Sequence, residues 1–283
     1  MEDKIYHNLK NTTVRNLYWL LFSNSPLSQS YDISPYIQFP NQILEEWKLL
    51  SQNYFIELDK NPSSLITFLD RKKNKRLGFY AEALLSYFFQ TFNQIELLLQ
   101  NFQIINKHKT VGEIDFIILY NKKVIHLECA VKYYLLKDFN NANEPSNWVG
   151  PRMKDNLKLK LLRLINHQLP LGTRKEISDK INCNIDSSYL FVKGIFFAEK
   201  ELYSNIVSTG KPNQFIRQSE LDKLAVKPIK VLIRPNWLSS NSPSKLNSAT
   251  DFIQLDQPMK KPELVLFEDN RSRFIVPDNW GKE

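Results

Sequence analysis

The sequence predicts an α/β fold with an αβββαβ core, helices before it and a strand-rich part after it. Three observations predict this. The segment LGFYAEALLSYFF, residues 77–89, repeats apolar residues at helical spacing; residues 112–135 read as two apolar strands joined by a polar turn; and SSYLFVKGIFFA, residues 187–198, is one buried strand that follows a polar crossover and a helical segment.

Taken in order, Val14, Leu17, Leu21 and Phe22 lie at helical spacing within residues 10–22. A loop broken by Pro26, Pro35 and Pro40 follows, then a second helix from about Gln42 to Asn53. In the core helix Leu77, Tyr80, Ala81, Leu84, Leu85, Phe88 and Phe92 form a wide apolar stripe, with Glu82 on its flank. The run IELLLQNFQIIN, residues 95–106, reads as one bent strand or two short ones. After the two central strands come a crossover with Pro145 and Pro151 and a helix from about Arg152 to Gln168, stopped by Pro170. Beyond Ser204, VKPIKVLIRP, ELVLFED and RSRFIVP read as short strands around the polar loop LSSNSPSKLNSATD. We read one domain over 1–283: a helical extension (1–70), the core (71–200) and a strand-rich extension (201–283).

Composition narrows the function classes. With 42% hydrophobic and 24% charged residues the chain is globular. No apolar run approaches the roughly 20 residues that span a bilayer, and MEDKIYHNLKN is no signal peptide, so a cytoplasmic protein is expected. Cys129 and Cys183 lie in unrelated contexts and are expected as buried reduced thiols. The net charge of +8 and pI near 9.2 suggest an anionic partner. GxxxxGK[ST] and GxGxxG runs are missing, which argues against a nucleotide-triphosphate motor or a dinucleotide enzyme.

Asp115, Glu128 and Lys132 stand inside the two central apolar runs. A two-residue turn at Asn121 and Lys122 sets Tyr120 opposite Lys123, Ile117 opposite His126 and Asp115 opposite Glu128. Glu113, Asp115, Ile117, His126, Glu128, Ala130 and Lys132 then share one face, while Phe116, Ile118, Leu127 and Val131 fill the other. Carboxylates so opposed lie about 4.5–5.5 Å apart at Cβ and repel. A shared proton, a cation such as Lys132, or a divalent metal would offset this. A three-residue turn would instead send the acids to opposite faces. On the structural alternative, Glu128 and Lys132 form an ion pair at a sheet edge and Asp115 caps a loop. His126 reads as structural, His167 and Gln168 as a helix end, and Tyr133, Tyr134, Trp148 and Trp237 as core.

An acid on the core helix, an acid on a middle strand, and an acid and a lysine on the next strand resemble the signature order of the PD-(D/E)XK nuclease superfamily. The chain also resembles the bacterial domain-of-unknown-function family 1853, through LGFYAEALLSYFF, GEIDFIILYNKKVIHLECAVKYYL, NWVGPRMKDNLKLKLLRLINHQLP and KGIFFA. The superfamily resemblance implies Mg²⁺ (or Mn²⁺) and phosphodiester hydrolysis. Glu82 would be the helix acid, Asp115 the central metal ligand, Glu128 the second ligand and Lys132 the catalytic cation. The usual motif places its lysine two residues after the acid, where this chain has Ala130. Lys132 is therefore about 13 Å along the strand from Glu128 instead of about 7 Å, and must lean back over Ala130.

These readings make nucleic acid the expected partner, DNA first, with Arg71, Lys72, Lys73, Lys75, Arg76, Lys154, Lys158, Lys160 and Arg163 as candidate phosphate contacts. The alternative is a catalytically degenerate nucleic-acid-binding protein on the same core. A glycosidase-type carboxylate pair fits less well, given the basic balance and the adjacent lysine.

Overall fold

The computed structural model describes residues 4–72, 76–106, 109–208, 210–240 and 258–282. It is a mixed α/β structure with a large mixed sheet and several helices. Its elements are α1 (Lys4–Asn8), α2 (Thr12–Phe22), β1 (Ile37–Gln38), α3 (Asn41–Leu50), α4 (Gln52–Lys60), α5 (Ser63–Asp70), α6 (Leu77–Thr91), β2 (Glu96–Asn106), β3 (Lys109–Tyr120), β4 (Lys123–Leu136), β5 (Trp148–Val149), α7 (Leu157–Arg163), α8 (Lys175–Ile181), β6 (Ser187–Ala198), β7 (Asn213–Arg217), β8 (Pro228–Val231), β9 (Glu263–Phe267) and β10 (Ser272–Val276). The sheet runs β2-β3-β4-β6-β7-β10-β9-β8, with β1 beside β6 and β5 beside β4.

The N-terminal helices cover one face of the sheet. Asn11 caps α2 by accepting from the Thr13 and Val14 N–H groups, which leaves Val14, Leu17, Leu20 and Leu21 to be buried. The single helix expected over 42–53 is instead α3 and α4, meeting at Ser51. α5 was not foreseen. On α6 the expected stripe packs inward, and Leu84, Phe88 and Phe92 join Phe116, Ile118 and Leu127 of the sheet in the main core. That core also takes in Trp237, Leu264, Phe274 and Trp280, so the C-terminal strands share it.

The β3–β4 hairpin has the register read from sequence. Asn121 and Lys122 adopt φ of 48° and 63°, the left-handed pair that a two-residue hairpin turn demands. Tyr120 pairs with Lys123, Ile117 with His126 and Phe116 with Leu127. One expectation is corrected: the face opposite the main core is not left to charge. Ile104, Ile114, Ile117 and Val124 pack there against Leu171 and Ile177, because the crossover after β4 folds back over it.

That crossover also differs from the single helix expected over 152–168. Residues 152–156 are a loop, and α7 begins only at Leu157, where Asn156 caps it through the Leu159 N–H. A π-turn (Leu164–Gln168) and a 3₁₀ segment (Leu169–Thr173) follow, running through Pro170. β6 then pairs in parallel with β4 from Ile125↔Ser187 to Leu135↔Phe197. Gly194 makes this approach possible: a Cβ there would overlap the Lys132 carbonyl oxygen.

β2 is one strand with irregularities at Leu97/Leu99 and Ile104/Ile105. β8, β9 and β10 fall within the three C-terminal runs, and β7 was missed. Most of the polar loop over 238–251 lies outside the described residues. Cys183 is exposed, contrary to the burial expected for both thiols. Lys193 is fully enclosed and donates from Nζ to the Leu21 (2.9 Å) and Ser23 carbonyls at the end of α2. Burial pushes its pKa down to about 7.

Candidate functional site

The regular β3–β4 ladder ends at Phe116↔Leu127. One residue further, side chains take over from backbone pairing. Asp115 Oδ2 accepts the Cys129 N–H at 2.8 Å, and the Asp115 N–H makes a long 3.4 Å contact with Glu128 Oε1. The two acids thus meet one step beyond the paired register, each reaching a backbone N–H of the opposite strand.

Glu128 is fully buried. Its Oε1 lies 2.9 Å from His126 Nε2, and its Oε2 accepts from Gln168 Nε2 at 2.7 Å. His126 Nδ1 lies 3.2 Å from Ser188 Oγ on β6. Burial lowers His126 to about 4, so the imidazole is neutral at neutral pH and bridges Glu128 and Ser188 through its two ring nitrogens. His126 and Gln168 therefore orient Glu128. Gln168 reaches it because the π-turn carries α7 past its ordinary end, a feature frequent at functional sites.

Glu82 lines a cavity of about 240 Å³ together with Leu20, Gly78, Cys129, Lys132 and Lys160. Burial raises its carboxyl to about 7, and the charges of Asp115 and Glu113 add to this. Asp115 rises to about 7, through burial and then repulsion from Glu128, against the Cys129 N–H and Lys160. Glu128 rises to about 8 through burial, opposed by hydrogen bonding from Asp115 and by Lys160. Three carboxyls thus hold protons far above their ordinary range.

Lys160 is the cation common to all three. It projects from α7, and its pKa is lowered by burial and then by Lys132, while Asp115 and Glu128 oppose the fall. Lys132 lines the same cavity, but its Nζ donates to Asp155 Oδ2 at 2.5 Å, and that oxygen also accepts the Tyr134 hydroxyl at 3.2 Å. The ion pair of the structural alternative, Glu128 with Lys132, does not form: each has other partners.

The structure thus gathers Glu82, Asp115, Glu128, Lys132 and Lys160, and adds His126, Gln168 and Asp155. Lys154, Lys158 and Arg163 are exposed on the α7 side; Arg71 and Lys72 follow α5, and Arg76 precedes α6. Lys73 and Lys75 lie outside the described residues. Tyr133, Tyr134, Trp148 and Trp237 are buried, as expected of core aromatics.

Among the described residues, no three His, Cys, Asp or Glu side chains are gathered into a metal cage. The donors nevertheless suit Mg²⁺ in kind: they are hard oxygens, and a cation would take the place of the protons that their raised pKa values retain. Mg²⁺ is ordinarily held by one or two carboxylates, completed by water and substrate phosphate.

The family model described as Domain of unknown function (DUF1853) matches residues 15–267. Comparison with curated proteins and with solved structures finds no match. Among the described residues no helix is long and apolar enough to cross a membrane.

Proposed function

The chain belongs to the DUF1853 family, and from that premise and the cleft we propose that it is a metal-dependent nuclease of PD-(D/E)XK type, hydrolysing phosphodiester bonds in nucleic acid, DNA first. One observation carries this reading: where the hairpin ladder opens, Asp115 and Glu128 meet beside a cavity lined by Glu82, Lys132 and the half-buried Lys160, and all three carboxyls have raised pKa values. The succession α6, β2, β3, β4, α7, β6 supports it, with β5 and α8 as additions.

Asp115 and Glu128 would hold the divalent ion, with Glu82 close by. The ion would supply Lewis-acid polarisation of the phosphate. Glu82, with a pKa near 7, is suited to accept the proton of an attacking water at neutral pH. Lys160 stands where negative charge grows on the phosphoryl oxygens, and it takes the role first read onto Lys132. Lys132, tethered by Asp155, is left to orient a phosphate oxygen at the cavity's rim. Arg71, Lys72, Arg76, Lys154, Lys158 and Arg163 would meet the backbone beyond.

The test is incubation of the protein with single- and double-stranded DNA and RNA in Mg²⁺, Mn²⁺ or EDTA. Cleavage in the metals alone is expected, with Glu128→Gln and Lys160→Met each losing about 10²–10³-fold and Lys132→Met losing less. A second reading has its own support, since both Glu128 oxygens and Lys132 already have protein partners. It makes the chain a degenerate nucleic-acid-binding protein. Salt-sensitive binding without cleavage in either metal would select it and reject the enzyme.

A further inference from the structure

The loop that carries Asp155 also carries Arg152. Its two ends are tied together by the Gly150 N–H donating to the Asp155 carbonyl (2.9 Å), and the Met153 N–H donates to the Gly150 carbonyl (2.7 Å). Trp280 Nε1 donates to the Pro151 carbonyl at 2.9 Å and anchors the near side. Arg152 is therefore held at an exposed tip by a fixed backbone. It faces a second cavity, also of about 240 Å³, whose far wall includes Arg234, Trp237, Lys261 and Glu263.

Arg234 is pre-placed there. Its guanidinium lies 4.9 Å from the centre of the Trp237 ring, and Trp237 is itself fixed by Nε1 donating to the Leu232 carbonyl at 2.7 Å. Lys261 pairs with Glu263 at 3.0 Å, so that carboxylate is engaged by a lysine and not by either arginine. Arg152 and Arg234 remain as two positive charges beside one cavity, and among the described residues neither has a carboxylate within ion-pair distance. Burial lowers the pKa of Arg234; repulsion from Arg152 adds to this and Glu263 opposes it. A fold that holds two guanidinium forks within mutual repulsion, one of them stacked on a buried tryptophan, is suited to a tetrahedral oxyanion, which both forks can grip.

We propose that Arg152 and Arg234 form a phosphate-binding site for the nucleic-acid strand, engaging a backbone phosphate that flanks the one at the carboxylate cleft. The occupant rests on the nucleic-acid reading above; the site itself does not. The loop joins the two places, since Arg152 stands three residues from Asp155, which holds Lys132. A phosphate gripped at the tip sets the strand's register against the cleft, as backbone contacts do in general.

The test is the affinity of the full chain for fluorescent single- and double-stranded oligonucleotides in EDTA across a salt series, for the parent, Arg152→Gln, Arg234→Gln, the double variant, and Lys180→Gln, an exposed position on α8, as a remote loss of charge. Each arginine variant is expected to bind roughly 5–10-fold more weakly and to lose about one unit of salt slope, the double about two. Lys180→Gln should bind like the parent. Arginine variants indistinguishable from Lys180→Gln would overturn the site. Should the parent bind no oligonucleotide, calorimetric titration with pyrophosphate separates the two failures. Binding that the double variant loses would keep the phosphate site while rejecting nucleic acid as its occupant, and binding by neither protein would reject both.

Discussion

The two halves of the β3–β4 hairpin obey different physics. In the half nearest the turn, five residue pairs from Tyr120↔Lys123 to Phe116↔Leu127 form a regular ladder, with Phe116, Ile118 and Leu127 in the main core. In the other half the ladder stops and carboxylates occupy the gap, held by a histidine, a glutamine and a backbone N–H. Glu128 in the second half is as buried as the core of the first, and Asp115 is partly buried. Burial stabilises the first half, whereas in the second it raises the carboxyl pKa values, a cost offset only in part by the Cys129 N–H that Asp115 accepts across the hairpin. The contrast teaches that burial alone does not identify a site; burial of like charges that a neutral core would have avoided does.

The largest effect should come from the closed half. Phe116 packs edge-on to Phe89 with ring centroids 5.3 Å apart, and Phe116→Ala should cost about 3–5 kcal/mol by denaturant unfolding. In the open half Glu128→Gln, measured in EDTA at pH 8, should be neutral or stabilise by up to about 1 kcal/mol, because it removes repulsion. A loss near that of Phe116→Ala would erase the distinction between the halves.

The pH dependence sharpens the same comparison. Asp115, Glu82 and Glu128 bind protons more tightly in the folded chain, with pKa values near 7, 7 and 8, than unfolded, near 4. Their contribution in EDTA is therefore fully present at low pH and lost as pH rises through about 7–8. Glu128→Gln should flatten that fall in melting temperature. Lys193 supplies the opposite slope. Its folded pKa near 7 lies below the unfolded value of 10.5, so the unfolded chain binds more protons between these limits and stability gained from this group rises across them. Lys193→Met should abolish that rise; an unchanged profile would mean that Lys193 titrates normally.

The smallest effect lies at the turn. Asn121→Val forces a β-branched residue into φ near 48° and should cost roughly 1–2 kcal/mol without altering the proposed cleavage. A change in cleavage would show that the two halves are mechanically coupled.

How much of this was legible in the sequence follows from the range of the forces involved. The hairpin register was readable because a two-residue turn and period-two burial are local, and both are visible around Asn121 and Lys122. The stripe of α6 was readable for the same reason, and it placed Glu82. Lys160 was read as a phosphate contact on a solvated helix; its burial depends on how α7 meets β4, which no local pattern encodes. Asn156, an N-cap residue just before Leu157, was the available signal that the helix starts later than Arg152. Gln168 was hidden because Pro170 suggested a helix end where the chain makes a π-turn and continues. Asp155, which captures Lys132, sits on a loop whose closure needs Gly150: a Cβ there would come within 2.3 Å of Asp155 Oδ1.

The most direct test of the claim that the open half was built to hold a cation is Mn²⁺ titration of EDTA-stripped protein, with heat and released protons recorded together at pH 6 and pH 8. Carboxyls protonated in the apo protein must give up protons to bind metal. The account predicts saturable binding with proton release that is larger at pH 6, and its loss in Asp115→Asn and Glu128→Gln. Neither heat nor proton release at either pH would contradict it, and would leave Asp115 and Glu128 as buried acids without a metal to hold.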